Sequence, residues 1–484
     1  MPSASQNHRT APWPFTGIAL SWALAGGIHL LTFAWILPIS WEGILYGATL
    51  ALLLTRPNSL SRFLAFLAST ALVLALNYDK ASNHLVLEFW IAVSVLVALL
   101  MSCIHPARRA SCQLSAFERI APLVRGQYLL AFSFAAFSKL NTDFLDPEWS
   151  CAALFAEQAA RFLRLDSKSF GLFALDRPSL QYAVIYLTLA CEFAIPLLLL
   201  LRTTRRDGIY LALGFHFALG FVPILGIGSY SALSFTLLLF FFPKEALTRL
   251  DANLRKIFRF IARSSASARL LPFAFVLLLA SLVYAQHRSF HPAASPVALL
   301  AWLLVFLPLL GIAIVSLHKA PLPKAKSLKG SIGDLIPRPK RLLALHLPIF
   351  ALGILPYLGL QTQGSFTMFS NLRVLGDRPN HLVASSAMHI SPPILIDVLS
   401  SNHPDLSSYP NSDRRITSHE LRRKVASTEK DFYVLCEFDG RIELIGRFEG
   451  ELTPHPFLEP LPIFPNRWIR FRDVSTSDSC PCVW

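Results

Sequence analysis

Charge is what this sequence has least of. Only 15% of its 484 residues are Asp, Glu, Lys or Arg, 54% are hydrophobic, and the mean hydropathy is +0.49. An ordinary soluble domain carries about a quarter of its residues charged, so most of this chain is not built for water. Acidic residues are the scarcer kind, which leaves a net charge of +14. That excess does not indicate nucleic acid, because the Lys and Arg sit in short loops between apolar runs rather than on one soluble face. The seven cysteines have no metal-ligand spacing, which argues against a zinc module. There is no internal repeat and no low-complexity tract, so the repeated halves of many transporters are missing.

What is present is a series of apolar stretches, at 15–37, 43–55, 63–77, 85–104, 123–140, 180–201, 208–226, 229–242, 270–286, 297–317 and 342–360. A helical crossing needs ~20 mostly apolar residues. The expected fold is therefore an all-α polytopic membrane bundle of about eleven spans, the short ones at 43–55, 63–77 and 229–242 being tilted or re-entrant. After Leu360 the composition turns soluble, and a small α+β extramembrane domain is expected over 361–484. The remaining divisions are an N-terminal tail over 1–14, a membrane domain over 15–317, and a basic loop with the last helix over 318–360.

Loop charge gives sidedness. Alternate loops collect 23 Lys and Arg, including seven each in Lys244 to Arg269 and Lys319 to Arg341; the intervening loops hold six. The positive-inside rule places the basic loops and the N-terminus in the cytoplasm and the tail outside, in an inner or plasma membrane. Ala23-Leu24-Ala25 resembles a signal-peptide cleavage site, but the apolar run continues unbroken to Leu37, so a retained helix is expected.

In the long outer loop, the apolar periodicity of Ala152 to Leu165 predicts a helix, lying either along the membrane interface or packed on the bundle. In the tail, Thr417-Ser418-His419-Glu420 reads as a capping box opening a helix to about Ser427. Phe432 to Phe438, Asp439-Gly440 and Arg441 to Ile445 read as a hairpin with a type I′ turn. Cys480-Pro481-Cys482 could pair with Cys436 in an oxidising compartment, or could be two idle thiols.

Ionisable residues within apolar spans are costly and mark candidate sites. Arg125 and His346 lie in first turns at the basic side and can reach headgroups. His29, Glu88, Lys139, Glu192 and His216 remain. A lysine in an apolar cavity loses hydration and can act as a neutral amine base; one at a helix end can instead snorkel to the headgroups. His216 can bond a neighbouring helix or relay a proton, and Glu192 can be protonated or paired with a base. No two of these share helix-face spacing in one span, so no metal site is expected.

Two stretches carry a resemblance. One is Gly126 to Leu145, GQYLLAFSFAAFSKLNTDFL, an aromatic, alanine-rich helix ending in lysine. The other is Glu192 to Phe242, with a Pro-Leu-Leu-Leu run, an Arg pair, Phe215-His216 and Gly228-Ser229-Tyr230-Ser231. Together they resemble the horizontally transferred transmembrane domain family, related to the vitamin K-dependent γ-glutamyl carboxylase, over roughly residues 12 to 317. The resemblance implies a quinol-dependent carboxylase or epoxidase. Lys139 would be the base that deprotonates reduced vitamin K or another quinol, with His216 and Glu192 as further catalytic candidates. Gln127, Tyr128, His29 and Glu88 are candidates for cofactor contacts. The tail is smaller than the carboxylase's lumenal region. Its Ser365 to Arg373 stretch, followed by Asn380-His381-Leu382, resembles a motif of bacterial relatives, and either covers a cavity mouth or forms a tight junction. Expected partners are membrane lipid, a quinone, and a protein substrate or partner at the outer domain; nucleic acid is not expected. The alternatives are a non-enzymatic lipid- or small-molecule-binding membrane protein, a transporter, or a partner-binding scaffold.

Overall fold

The apolar stretches fold as helices because each carries little interior charge and ends at a polar or turn-forming segment. In a computed structural model, the described residues are 16–33, 40–103, 112–162, 178–220, 225–264, 296–321, 328–376, 378–384, 388–390, 392–426, 428–453, 455, 468–476 and 482. The longer helices are α1 Thr16–Thr32, α2 Trp41–Thr55, α3 Leu60–Leu76, α4 Asn83–Cys103, α5 Cys112–Phe137, α6 Cys151–Phe162, α7 Pro178–Leu200, α8 Arg205–Leu219, α9 Leu225–Leu238, α10 Lys244–Ser264, α11 Pro296–His318, α12 Leu347–Ile354 and α13 Ser418–Ala426, with short ones at Thr142–Leu145 and Leu328–Gly333. Ten of the eleven expected spans coincide with these helices or, at 342–360, with α12 and its flanking 3₁₀ turns; the stretch at 270–286 lies outside the described residues.

Four helical segments are long and apolar enough to cross a membrane: Asn83–Met101, Phe117–Phe137, Ser179–Leu200 and Lys340–Leu358. Five shorter apolar helices accompany them, so eleven full crossings are not reached among the described residues. The last two segments are mostly unburied, with Leu187 and Leu347 each 64% exposed. Apolar surface of that extent on a long helix suits lipid rather than water.

The chain divides into two compact units, each assembled from distant segments. The first comprises Met1–Leu76, Glu88–Leu129 and Ile195–His346. Here α1 packs on α9 and on α10, and α2 packs on α3. Ser21 Oγ and Thr236 Oγ1 meet at 2.8 Å, and Thr49 and Ser69 at 2.6 Å, so these four buried hydroxyls are paired. The helix α10 occupies the region read from sequence as a basic loop. It buries Leu247, Leu250 and Leu254 along one face and leaves Lys244, Glu245, Thr248 and Arg249 exposed. That spacing is the amphipathic helical period. Its Asp251 carboxylate accepts from Gly17 N at 2.8 Å and Thr16 N at 3.3 Å, satisfying two N–H groups that open α1. Burial pushes the Asp251 carboxyl up to about 6.

The second unit comprises Asn77–Leu87, Leu130–Ala194 and Leu347–Trp484. It contains a six-stranded antiparallel sheet of order β5-β4-β3-β1-β2-β6. The strands are β1 Leu395–Ser401, β2 Arg414–Thr417, β3 Phe432–Phe438, β4 Arg441–Phe448, β5 Glu451–Leu452 and β6 Val474–Ser475. Phe432, Val434 and Cys436 alternate inward and pack with Ile396, Leu421 and Val425. Asp439 and Gly440 take φ of 47° and 71°, as a type I′ turn requires. Thr417 Oγ1 accepts from Glu420 N at 3.2 Å and caps α13, as the sequence led us to expect. The tail binds loop backbone elsewhere in this unit: Arg470 Nη1 donates to Ala81 O at 2.9 Å, and the tilted rings of Tyr78 and Trp468 lie 4.1 Å apart.

One expectation is corrected here. Cys482 forms a disulfide with Cys151, Cα atoms 5.1 Å apart, while Cys436 is free and buried in the sheet core. Cys436 points inward from a central strand, which puts its sulfur out of reach of a terminal segment. Cys480 lies outside the described residues.

Candidate functional site

The helix α5 ends at Phe137, and the next residues turn: Ser138 N bonds Phe134 O, and Lys139 N bonds Ala136 O at 3.1 Å. Asn141 stops the turn by capping the following short helix, its Oδ1 accepting from Phe144 N at 2.8 Å. This folds Lys139 back into the second unit, where its side chain is 6% exposed. Nζ lies 2.9 Å from Glu192 Oε2 on α7 and donates to Ala135 O and Met368 O, each at 3.2 Å. Three acceptors match the three N–H bonds of an ammonium group. The Phe144 ring centroid is 5.9 Å away. Among the described residues, Glu192 Oε2 meets no donor besides Lys139. Two of the groups the sequence marked as costly thus offset one another's burial.

The third face of the site is the 364–371 turn. Besides Gly364, three residues here take positive φ: Phe366 at 57°, Phe369 at 50° and Asn371 at 53°. The two phenylalanines each cost on the order of 1 kcal/mol or more in this conformation, and persist only where their surroundings over-determine them. They do so here. Ser370 Oγ donates to Thr367 O, Phe366 N donates to Asn83 Oδ1, and Asn371 bridges Cys151 N and Trp149 O at 2.9 and 2.7 Å. Asn380 receives Arg373 N at 2.8 Å and donates to Asn371 O at 2.7 Å. Asn141 Nδ2 donates to Ser370 O. His381 is held as one neutral tautomer: Nε2 donates to Phe137 O at 3.0 Å, and Nδ1 accepts from Val383 N and Ala384 N. Burial lowers its pKa, which agrees with that tautomer. These bonds tie the 365–373 and 380–382 stretch to the turn that carries Lys139.

The other candidates lie in the first unit, in separate clusters. His29 Nδ1 is 3.0 Å from Glu88 Oε2, and Trp22 Nε1 donates to Glu88 Oε1 at 2.7 Å. Tyr128 Oη and His216 Nε2 are 3.4 Å apart, with the rings of Tyr230 and Phe235 edge-on to the imidazole. Gln127 Nε2 donates to Ser94 Oγ at 2.7 Å and Leu345 O at 2.8 Å. The structure therefore brings together Lys139 with Glu192, His29 with Glu88, and Tyr128 with His216. Sequence reasoning missed Trp22, although it stands seven residues before His29 on the same helical face. It also missed Asn141, whose signal was its capping position before Thr142-Asp143. Among the described residues, no group of three or more His, Cys, Asp or Glu is arranged to hold a metal ion.

No family model matches the chain, and comparison with curated proteins and with solved structures gives no match.

Proposed function

We propose that the protein is a multi-pass membrane enzyme in which Lys139 and Glu192 form a proton-handling pair for a lipid-soluble quinol. The observation that carries this is the buried 2.9 Å ion pair itself, closed over by a strained turn. Strain of that kind clusters at working sites. Proton transfer from Lys139 to Glu192 leaves a neutral amine beside a neutral carboxylic acid, with no formal charges to bury. That amine then takes a proton from an acidic hydroxyl brought within hydrogen-bond reach. Reduced vitamin K or another quinol, as the family resemblance implies, supplies that hydroxyl and the oxygen chemistry of a carboxylase or epoxidase. The residues present fit the acid–base half of this role, with Phe144 as an aromatic wall.

Sidedness belongs to the proposal too: the second unit and its sheet face the outside of an inner or plasma membrane. Two observations support it. The tail is tied to Tyr78, Ala81 and the 137–151 segment, all regions that loop charge assigns to the outer side. The Cys151–Cys482 disulfide suits an oxidising compartment. Exposed Ile442, Leu444 and Phe448 on β4 support a protein partner or substrate at the sheet.

A second reading, a non-enzymatic lipid- or small-molecule-binding protein or a transporter, is favoured by the full set of acceptors already around Lys139 Nζ. Turnover separates the two. Purified protein given reduced quinone, oxygen and bicarbonate is expected to form quinone epoxide or carboxylated product, and K139A and E192Q to lose it. Wild-type turnover in folded K139A rejects the catalytic role, and transport independent of Lys139 favours the second reading.

A further inference from the structure

The first unit holds a cavity of about 1120 Å³ whose charged lining residues are mostly cationic. Arg119 and Arg125 reach it from α5, and Arg202, Arg205 and Arg206 from the turn into α8. Arg338, Arg341 and Lys244 complete a set of seven arginines and one lysine, against two carboxylates, Glu118 and Asp334. Positive-inside residues are ordinarily spread over solvated loops; here they converge on one chamber from four separate segments. None of the seven candidate residues considered above lines it, so the argument does not rest on the proposed quinol chemistry.

The internal acids do not neutralise this set. Asp334 is fully engaged, accepting from Arg202 through a two-nitrogen fork and from Arg205 Nη1 at 3.1 Å. Glu118 is exposed. Arg125 spends Nε on Phe240 O at 2.7 Å, and Arg206 spends Nη2 on Ala320 O. Among the described residues, Arg205 Nη2 and Arg206 Nε are shut off from water and meet no acceptor. A buried guanidinium N–H without an acceptor is expensive. Burial, together with Arg125 and Arg202 nearby, lowers the Arg205 pKa to about 9.

We propose that this cavity binds a phosphate-class anion, a phosphate or diphosphate group presented either on a lipid headgroup or on a free solute. Guanidinium forks match the oxygens of such groups bidentately, whereas a general cation attractor would be as rich in lysine. The volume exceeds what a bare phosphate fills, and Phe117, Ile209, Phe241 and Leu317 give the chamber an apolar wall for the rest of the ligand. The anion binds the guanidinium atoms that line the chamber, from Arg119, Arg125, Arg202, Arg205 and Arg206.

The test is the melting of purified full-length protein in neutral detergent at constant ionic strength. One arm titrates inorganic pyrophosphate; the other adds phosphatidic acid, with phosphatidylcholine as control. A saturable upward shift is expected in at least one arm: pyrophosphate alone identifies a free solute, phosphatidic acid alone a lipid headgroup. R206Q is expected to weaken binding at least tenfold. R338Q/R341Q alters two exposed positions that the fold tolerates, and is expected to weaken it several-fold. The proposal is overturned if neither probe gives a saturable shift, if chloride at the same ionic strength reproduces it, or if folded R338Q/R341Q binds as wild type does.

Discussion

Replacing Lys139 with methionine keeps most of the side chain's length while removing its charge, so the effect reads the ion pair together with the bonds to Ala135 O and Met368 O. Glu192 would then be left with its side chain 10% exposed and no donor at Oε2 among the described residues. Breaking a buried pair by removing one partner costs about 3–5 kcal/mol. For a cooperative unit of 150–250 residues, each 1 kcal/mol moves Tm by about 2–4 °C; K139M is therefore expected to melt roughly 6–20 °C below wild type. The double variant K139M/E192L removes both charges and is expected to recover most of that loss, because well-packed apolar replacement of a buried pair is close to neutral. Circular dichroism of detergent-solubilised protein measures all four corners of the cycle. If K139M melts within a degree or two of wild type, or the double variant loses the sum of both singles, the two groups are not coupled and the account of the site fails.

Gly353 faces the Phe134 ring so closely that an added Cβ would clash with it; G353A is expected to cost about 1–3 kcal/mol by overpacking, and an unchanged melt would contradict that approach. Burial lowers the pKa values of His381, His403 and His419 below the usual histidine value. Their contribution is present above pH 6.5 and lost as pH falls through the lowered folded values; the melting temperature should drop from pH 7 to pH 5, with a smaller drop in H381Q, and a flat profile would refute this. C482S should free Cys151 and cost about 2–4 kcal/mol; non-reducing peptide mapping should find Cys151 joined to Cys482, and a Cys436–Cys482 link would contradict the structure.

The helices were legible because lipid-length apolar runs have few alternatives, and ten expected spans sit where helices form. Lys139 and Glu192 were legible as types, since an ionisable group in such a run stands out. Their pairing was not, because nothing local specifies which distant helix supplies the partner, and Met368 O belongs to a segment 229 residues away. The hairpin announced itself through Asp439-Gly440, whereas β6 is two residues long and has no periodicity to read. The arginine chamber was hidden for a different reason. Counting Lys and Arg by loop answers which side they face, but not whether Arg125, Arg205 and Arg341 meet.

The most direct test of the central claim is mass spectrometry of quinones co-purified with the wild-type protein and with K139A, both confirmed folded by circular dichroism. The account expects a quinone retained by the wild type and depleted at least several-fold in the variant. Equal quinone content in the two, or none in either after supplementation with reduced quinone, would contradict it.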